Sequence, residues 1–312
     1  MNKNIISIGL VFFLLMIGGQ QCAEKVSIGT AFVGGTQGLS LSFVEGAPPI
    51  EVFDQGKTSF SVNVLIENKG EWDVNKDDAE ITISGINPAV FGSPILNKKL
   101  NAKLEGVEKD VQGNIVPGTI TYLDFSGFKF TDSIAGSVIL PIKADACYNY
   151  GTNVNSKLCI LRDLLSRVPG TANSMCTVNE AKSVENSGAP VQITELKERA
   201  VENNRIMFSF IVQHLGTGAV SELNSNCNSS IAKKDKIKIK VDTGIGSPGD
   251  LICNFDSGTG TEGTVTLYGG NRLVSCTQTI SSPTDYEQLI NIEMLYDYRD
   301  SITTSLKVSH LS

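Results

Sequence analysis

SFSVNVLIENKG (Ser59–Gly70) and MFSFIVQHLGTG (Met207–Gly218) are one pattern written twice. Counted from Phe60 to Phe208, the spacing is 148 residues; Ser61 then falls on Ser209, Val64 on Val212 and Gly70 on Gly218. Within the first segment Phe60, Val62, Val64 and Ile66 share one face and Ser61 and Asn63 the other. A period of two is the mark of a half-buried strand. The same offset returns far downstream, where CYNYGTNVNSKLCI (Cys147–Ile160) aligns with LYDYRDSITTSLKV (Leu295–Val308) and Tyr148, Tyr150 and Leu158 land on Tyr296, Tyr298 and Leu306. Two separate segments with one offset indicate two copies of a single β unit.

Working outward, further alternating runs surround these segments. Repeat one holds Leu39–Phe43, Glu80–Ser84, Thr119–Leu123, Val138–Tyr150 and Lys157–Leu161, with turn residues such as Gly85, Pro88, Gly113 and Gly118 between them. Repeat two holds Val191–Leu196, Ile206–Leu215, Ile237–Val241, Gly263–Tyr268, Arg272–Ile280, Leu289–Tyr298 and Ile302–His310. Helical periodicity is nearly absent; Phe91–Val111 leaves room for a short helix, and Asp163–Val168 for a helical turn closing repeat one. The expected fold is all-β, with two tandem immunoglobulin-like antiparallel β-sandwiches at 39–165 and 189–312. A Gly-rich, flexible lead-in (24–38) precedes them and a linker (166–188) joins them.

The 312 residues suit two domains, and a net charge of −7 with scattered Lys and Arg excludes a nucleic-acid binder. The lysines of KIKIK (Lys236–Lys240) read as the wet face of a strand. At the N-terminus, Lys3 precedes the apolar run Ile5–Ile17. That run is shorter than the roughly 20 residues that span a bilayer, so 1–23 reads as a signal peptide, with an uncleaved membrane anchor as the alternative. Membrane contact is expected only through this segment. Cys22 follows the run where an acylated cysteine would stand, although Gln20 and Gln21 make a poor lipobox. The chain is therefore expected outside the cytoplasm, secreted or anchored at the cell surface.

Six cysteines remain: Cys147, Cys159, Cys176, Cys227, Cys253 and Cys276. An even number in an exported chain reads as three disulfides. A hairpin centred on Asn153 would set Cys147 opposite Cys159, and both positions lose their cysteine together in repeat two (Leu295, Lys307). Cys253 and Cys276 flank two strand-like runs and are expected to pair; Cys176 and Cys227 pair by elimination. No C-x-x-C spacing supports a metal site.

VLIENKGEWDV (Val64–Val74), a strand ending in an Asn-x-Gly turn, resembles the second strand of immunoglobulin-like or CARDB-like (cell-adhesion-related) domains. The chain as a whole resembles secreted archaeal proteins with such tandem domains. Repeat two departs from the motif, with Leu215–Gly218 (LGTG) in place of Glu67–Gly70 (ENKG). The resemblance implies a surface or adhesive module and carries over no catalytic residue.

Candidate chemistry is sparse. His214 shares the inward phase of Phe208 and Phe210, and His310 is expected to be solvated near the C-terminus. No Gly-x-Ser-x-Gly elbow or His-x-x-x-His pair accompanies them. Asp73-x-Asn75-x-Asp77 opens like a calcium loop, but Asp78 stands where the turn needs glycine and Ser84 where a bidentate Glu belongs. A solvated acidic turn is the default, and no metal or cofactor is implied. Trp72, the single tryptophan, sits beside that turn, so Trp72, Asp73, Asn75 and Asp77 form the candidate binding patch. The expected function is a non-enzymatic cell-surface protein for adhesion or ligand binding, its partner a protein or glycan. The alternative is a self-associating structural subunit of a surface filament, sheath or layer.

Overall fold

A computed structural model describes residues 30–164, 176–246, 250–281 and 284–311. The signal segment with Cys22 and part of the expected linker lie outside the described residues. Repeat one forms β1 (Leu39–Phe43), β2 (Glu51–Phe53), β3 (Ser59–Asn68), β4 (Ala79–Ser84), β5 (Asn97–Lys99), β6 (Glu108–Lys109), β7 (Ile115–Val116), β8 (Ile120–Lys129) and β9 (Ser137–Ile160). After β10 (Glu180–Lys182) and β11 (Val184–Asn186), repeat two forms β12 (Val191–Glu202), β13 (Arg205–His214), β14 (Ala219–Ser221), β15 (Lys236–Asp242) and β16 (Leu251–Cys253). It closes with β17 (Ser257–Thr259), β18 (Glu262–Thr266), β19 (Asn271–Thr279) and β20 (Tyr286–Ser309). No helix occurs among the described residues; where Phe91–Val111 left room for one, the chain makes turns and the short strands β5 and β6.

The alternation read from sequence is the alternation of burial. Val62, Val64 and Ile66 of β3, and Phe208, Phe210 and Val212 of β13, are fully buried, while the residues between them are partly exposed. β3 lies in a three-stranded sheet, β1-β3-β8, and β13 in a five-stranded one, β10-β12-β13-β19-β16. A ten-stranded sheet runs through both repeats, with β9 and β20 side by side at its centre.

β9 and β20 pair antiparallel over all 24 residues of each. The register sets Tyr148 against Tyr298, Asn149 against Asp297 and Tyr150 against Tyr296, so an approximate two-fold axis relates the repeats. This corrects the hairpin expected at Asn153. The strand continues straight through, because its partner is the other repeat rather than itself. The first half of each long strand pairs at home, β4 with Ser84–Ala79 against Lys143–Tyr148, and β15 against Asn291–Leu295. The second half serves the neighbour: β11 pairs with Val154–Ser156, and β2 pairs in parallel with Lys307–Ser309. Leu158 and Leu306, each fully buried, thus lie in these crossing halves, and removing a side chain of this kind from water is worth about 2 kcal/mol.

The four tyrosines explain why the repeat is visible. All are buried, and neighbouring rings meet edge-on or tilted. Leu39 N–H donates to Tyr148 Oη at 3.0 Å, and Val191 N–H, at the matching entry of repeat two, donates to Tyr296 Oη at 3.3 Å. Tyr150 donates to Asn68 Oδ1, while Tyr298 Oη accepts from Gly218 N–H at 2.7 Å. A Cβ at Gly70 would lie 2.1 Å from Tyr150 Oη, and one at Gly218 would lie 2.6 Å from Tyr298 Cε1. Each aligned glycine is the space its aligned tyrosine fills. Burial pushes all four phenols above the ordinary tyrosine pKa.

Three disulfides are present: Cys147–Cys227, Cys159–Cys176 and Cys253–Cys276. The last is the pairing expected from the flanking strands. The expected Cys147–Cys159 and Cys176–Cys227 pairings are replaced because, without the hairpin, Cys147 and Cys159 stand far apart along one extended strand. Such bonds belong to an oxidising, extracytoplasmic environment. The described part of the lead-in is tied down rather than free. Glu71 accepts the N–H groups of Val33, Gly34 and Gly188, Ala189 N–H donates to Gly35 O, and Lys109 Nζ holds the carbonyls of Thr30 and Phe32.

Candidate binding face

The site begins with the period of β9. Even-numbered residues from Ile142 to Tyr150 point into the core, so Lys143, Asp145, Cys147 and Asn149 stand on the outer face of the ten-stranded sheet. Beside them β20 contributes Asp297 and Arg299. Asp297 is fully buried, and its carboxylate accepts the N–H groups of Asn224, Ser225 and Cys227 at 2.8, 2.8 and 3.1 Å and the Ser225 hydroxyl at 3.1 Å. Asn224, Asn226 and Cys227 have φ of 60°, 54° and 52°, the left-handed backbone that lets successive N–H groups converge on one anion. The Cys147–Cys227 bond and the Asn149 Nδ2 to Asn224 Oδ1 hydrogen bond (2.8 Å) fasten this loop of repeat two onto β9 of repeat one.

The fastened loop walls a cleft of about 560 Å³ lined by Asp78, Glu80, Asp145, Asn149, Asn224 and Arg299 among others. Asp145 is occupied by Lys143 at 2.5 Å and Ser84 at 2.8 Å. Arg299 is exposed and makes no ion pair among the described residues. Further along the face the indole of Trp72 rests on Gly151: a Cβ there would lie 2.5 Å from Trp72 Cε3. Only glycine lets the ring lie this close to the sheet. Asn68 Nδ2 holds the Trp72 carbonyl at 2.7 Å, and the ring stays half-buried. Trp72, Asp73, Asn75, Lys103 and Asn153 line a second cavity of about 500 Å³. Asn153, Asn155, Lys240, Asn291 and Glu293 line a third, of about 340 Å³.

The structure brings Trp72, Asp73 and Asn75 together and places Asp77 on the neighbouring cleft. Their oxygens do not converge as a calcium loop. Asp73 pairs with Lys103 at 2.6 Å and with Gly106 N–H, Asn75 turns to Asp78, and Asp77 pairs with Lys99 at 3.3 Å. Burial pushes the Asp73 carboxyl up, but the hydrogen bonds from Lys103 and Gly106 outweigh it and leave its pKa lowered. Asn149, Gly151, Asn224, Asn226, Asp297 and Arg299 were not singled out in the sequence. The available signal was the alignment of Tyr-Asn149-Tyr with Tyr-Asp297-Tyr, a polar residue held between two core tyrosines in both repeats.

Away from this face lie two buried carboxylates of opposite character. Asp54 sits 2.8 Å from His310 Nδ1 and accepts N–H groups from Ile134 and Leu311; His310 and these donors hold its pKa down at about 2 despite burial. His310, expected to be solvated, is thus engaged. Glu198 is buried, with one oxygen accepting Cys159 N–H and Lys182 Nζ and the other unpartnered; burial raises its pKa to about 7. His214 Nε2 meets Tyr298 Oη at 3.1 Å, and burial lowers its pKa.

No protein-family model matches this chain, and no curated protein matches it. Among solved structures, it is similar at 12% identity to the secreted serine protease VesC from Vibrio cholerae, over 83% of this chain and 50% of that one, with a TM-score of 0.21. The chain spans half the length of that protein, and a likeness at this score carries no argument about fold or activity.

Proposed function

We propose that this is a non-enzymatic, exported cell-surface protein whose outer sheet face binds a glycan. The observation that carries the reading is Trp72 seated on Gly151 between polar cavities rich in Asn, Asp, Glu and Lys. A half-exposed indole offers a flat apolar surface to a sugar ring, and planar amides and carboxylates around it match hydroxyl donors and acceptors. The reading of each repeat as an immunoglobulin-like sandwich belongs to the same proposal. It is supported by the buried residues of the small sheets and of the ten-stranded sheet forming one hydrophobic cluster.

Trp72 is the sole tryptophan, so fluorescence excited where tyrosine does not absorb reports on this face alone. Titration with polysaccharide prepared from the native cell surface should give a saturable change that Asn149→Ala and Asn153→Ala weaken. A flat titration, together with unchanged cell adhesion by a Trp72→Ala variant, would overturn the reading. Electron microscopy of protein sheared from cells separates it from the filament or layer alternative: discrete particles support binding, regular lattices support assembly.

A further inference from the structure

The three-stranded sheet of repeat one ends on β8, and part of that edge is open. Asn68 N–H donates to Thr119 O, while Thr119 N–H donates to Glu105 O; Thr121 and Leu123, two and four residues on, direct their backbone groups to β3. Tyr122 and Asp124 face the other way. Their carbonyls accept from the side chains of Asn101 at 3.4 Å and Lys98 at 2.5 Å, which lie beyond the edge. By the same alternation the N–H groups of Ile120, Tyr122 and Asp124 point outward and meet no acceptor among the described residues. Lower down, Lys129 and Thr131 donate to the carbonyls of Phe91 and Val90, so the opening is confined to the first half of β8.

The open stretch is also apolar. Ile120 and Tyr122 are 50% and 57% exposed, and the ribbon β6–β7 that precedes them exposes Val111, Ile115 and Val116. The run Thr119–Leu123 (TITYL) contains no charge. Repeat two handles the matching strand differently: β19 is covered by β16 and stapled to it by Cys253–Cys276.

We infer that the open half of β8 is a self-docking edge, whose occupant is β8 of a second molecule of this chain. Antiparallel pairing about a two-fold at Thr121 sets Ile120 of each molecule against Tyr122 of the other. These are H-bonded pairs that use the outward N–H and C=O groups, and each joins an aliphatic to an aromatic side chain. The register pairs no like charges between Ile120 and Tyr122; the Asn101 contact to Tyr122 O must be released, and extending the ladder to Asp124 would displace Lys98 as well. Two three-stranded sheets become one of six. The fold joins its own two repeats by the same device at β9 and β20.

Sedimentation velocity on the full mature chain, from micromolar to near-millimolar concentration, tests this. The wild type should dimerise with concentration, and amide exchange at Ile120 and Tyr122 should slow as it does. Tyr122→Pro removes an N–H that β3 does not use, and Ile120→Lys puts a charge into the pairing; each should weaken the dimer roughly tenfold or more. Ile120→Lys leaves the backbone intact should the proline variant misfold. A wild type that stays monomeric throughout, or a dimer equally strong in both variants, would overturn the inference.

Discussion

The two repeats share a frame and differ at their edges. Both hang their first strand on a tyrosine hydroxyl, both use a glycine to admit a second tyrosine, and both lend half of a long strand to the other. Repeat two then adds β10 and β16 to its smaller sheet and staples one of them, whereas repeat one leaves the first half of β8 without a neighbouring strand and places Trp72 on the shared face instead. The frame is what the common core requires. The edges and the outer face are where one repeat could change without unseating the other, and that is where the proposed binding face and docking edge lie.

The comparison breaks most visibly at the disulfides. Cys147–Cys227 closes 80 residues and joins the repeats, whereas Cys253–Cys276 closes 23 within one. On a chain-entropy account, double Ser replacement of the first should cost about 4 kcal/mol and of the second about 3 kcal/mol. Denaturant unfolding checks both. Equal costs, or a larger one for the inner staple, would argue that the joint between repeats is not under load.

The glycines test the shared frame itself. Gly70→Ala drives a Cβ to within 2.4 Å of Gly188 O as well as onto Tyr150, and Gly218→Ala drives one to 2.2 Å from Arg299 O. Both should destabilise by about 2–3 kcal/mol. A cost at one site and none at the other, seen by thermal unfolding, would mean that the aligned residues are not equivalent.

The buried carboxylates sharpen the contrast through pH. Asp54 of repeat one has its pKa lowered, so its contribution is complete above 3.8 and is lost as pH falls through about 2. Glu198 of repeat two has its pKa raised, so the folded state holds a proton the unfolded state has released. Stability then declines as pH rises from 4.5 through about 7. Glu198→Gln should flatten that decline, by about 1–3 kcal/mol between pH 5 and 8, and leave the acid limb to Asp54. His310→Ala should lower stability above about pH 4 and shrink the acid limb with it. Unfolding curves across pH separate the two.

Much of this fold was legible in the sequence because its strands alternate cleanly and its repeat preserves residues that touch. Phe60 and Phe208, Gly70 and Gly218, Tyr150 and Tyr298 share one spacing, and each aligned pair sits buried in the core or against it. The partner of β9 was not legible. Alternation says that a strand is half-buried but not what lies beside it, and a hairpin at Asn153 and a neighbour in the other repeat satisfy the same pattern. The warning was chemical: Thr152–Asn155 lacks the Gly or Asp-Gly that a two-residue turn demands. The candidate site was half legible. Trp72 and Asp73 advertised themselves by type, whereas Asn149 and Asp297 matter through a loop folded onto them from elsewhere in the chain.

The pairing of β9 with β20 is the center of this account, and the disulfide map tests it most directly. Lys157 separates Cys147 from Cys159, so tryptic peptides of the unreduced protein distinguish the possibilities by mass spectrometry. A continuous strand shared between the repeats predicts Cys147 linked to Cys227 and Cys159 linked to Cys176. A Cys147–Cys159 link would mean that the strand folds back on itself as a hairpin, and would contradict the account.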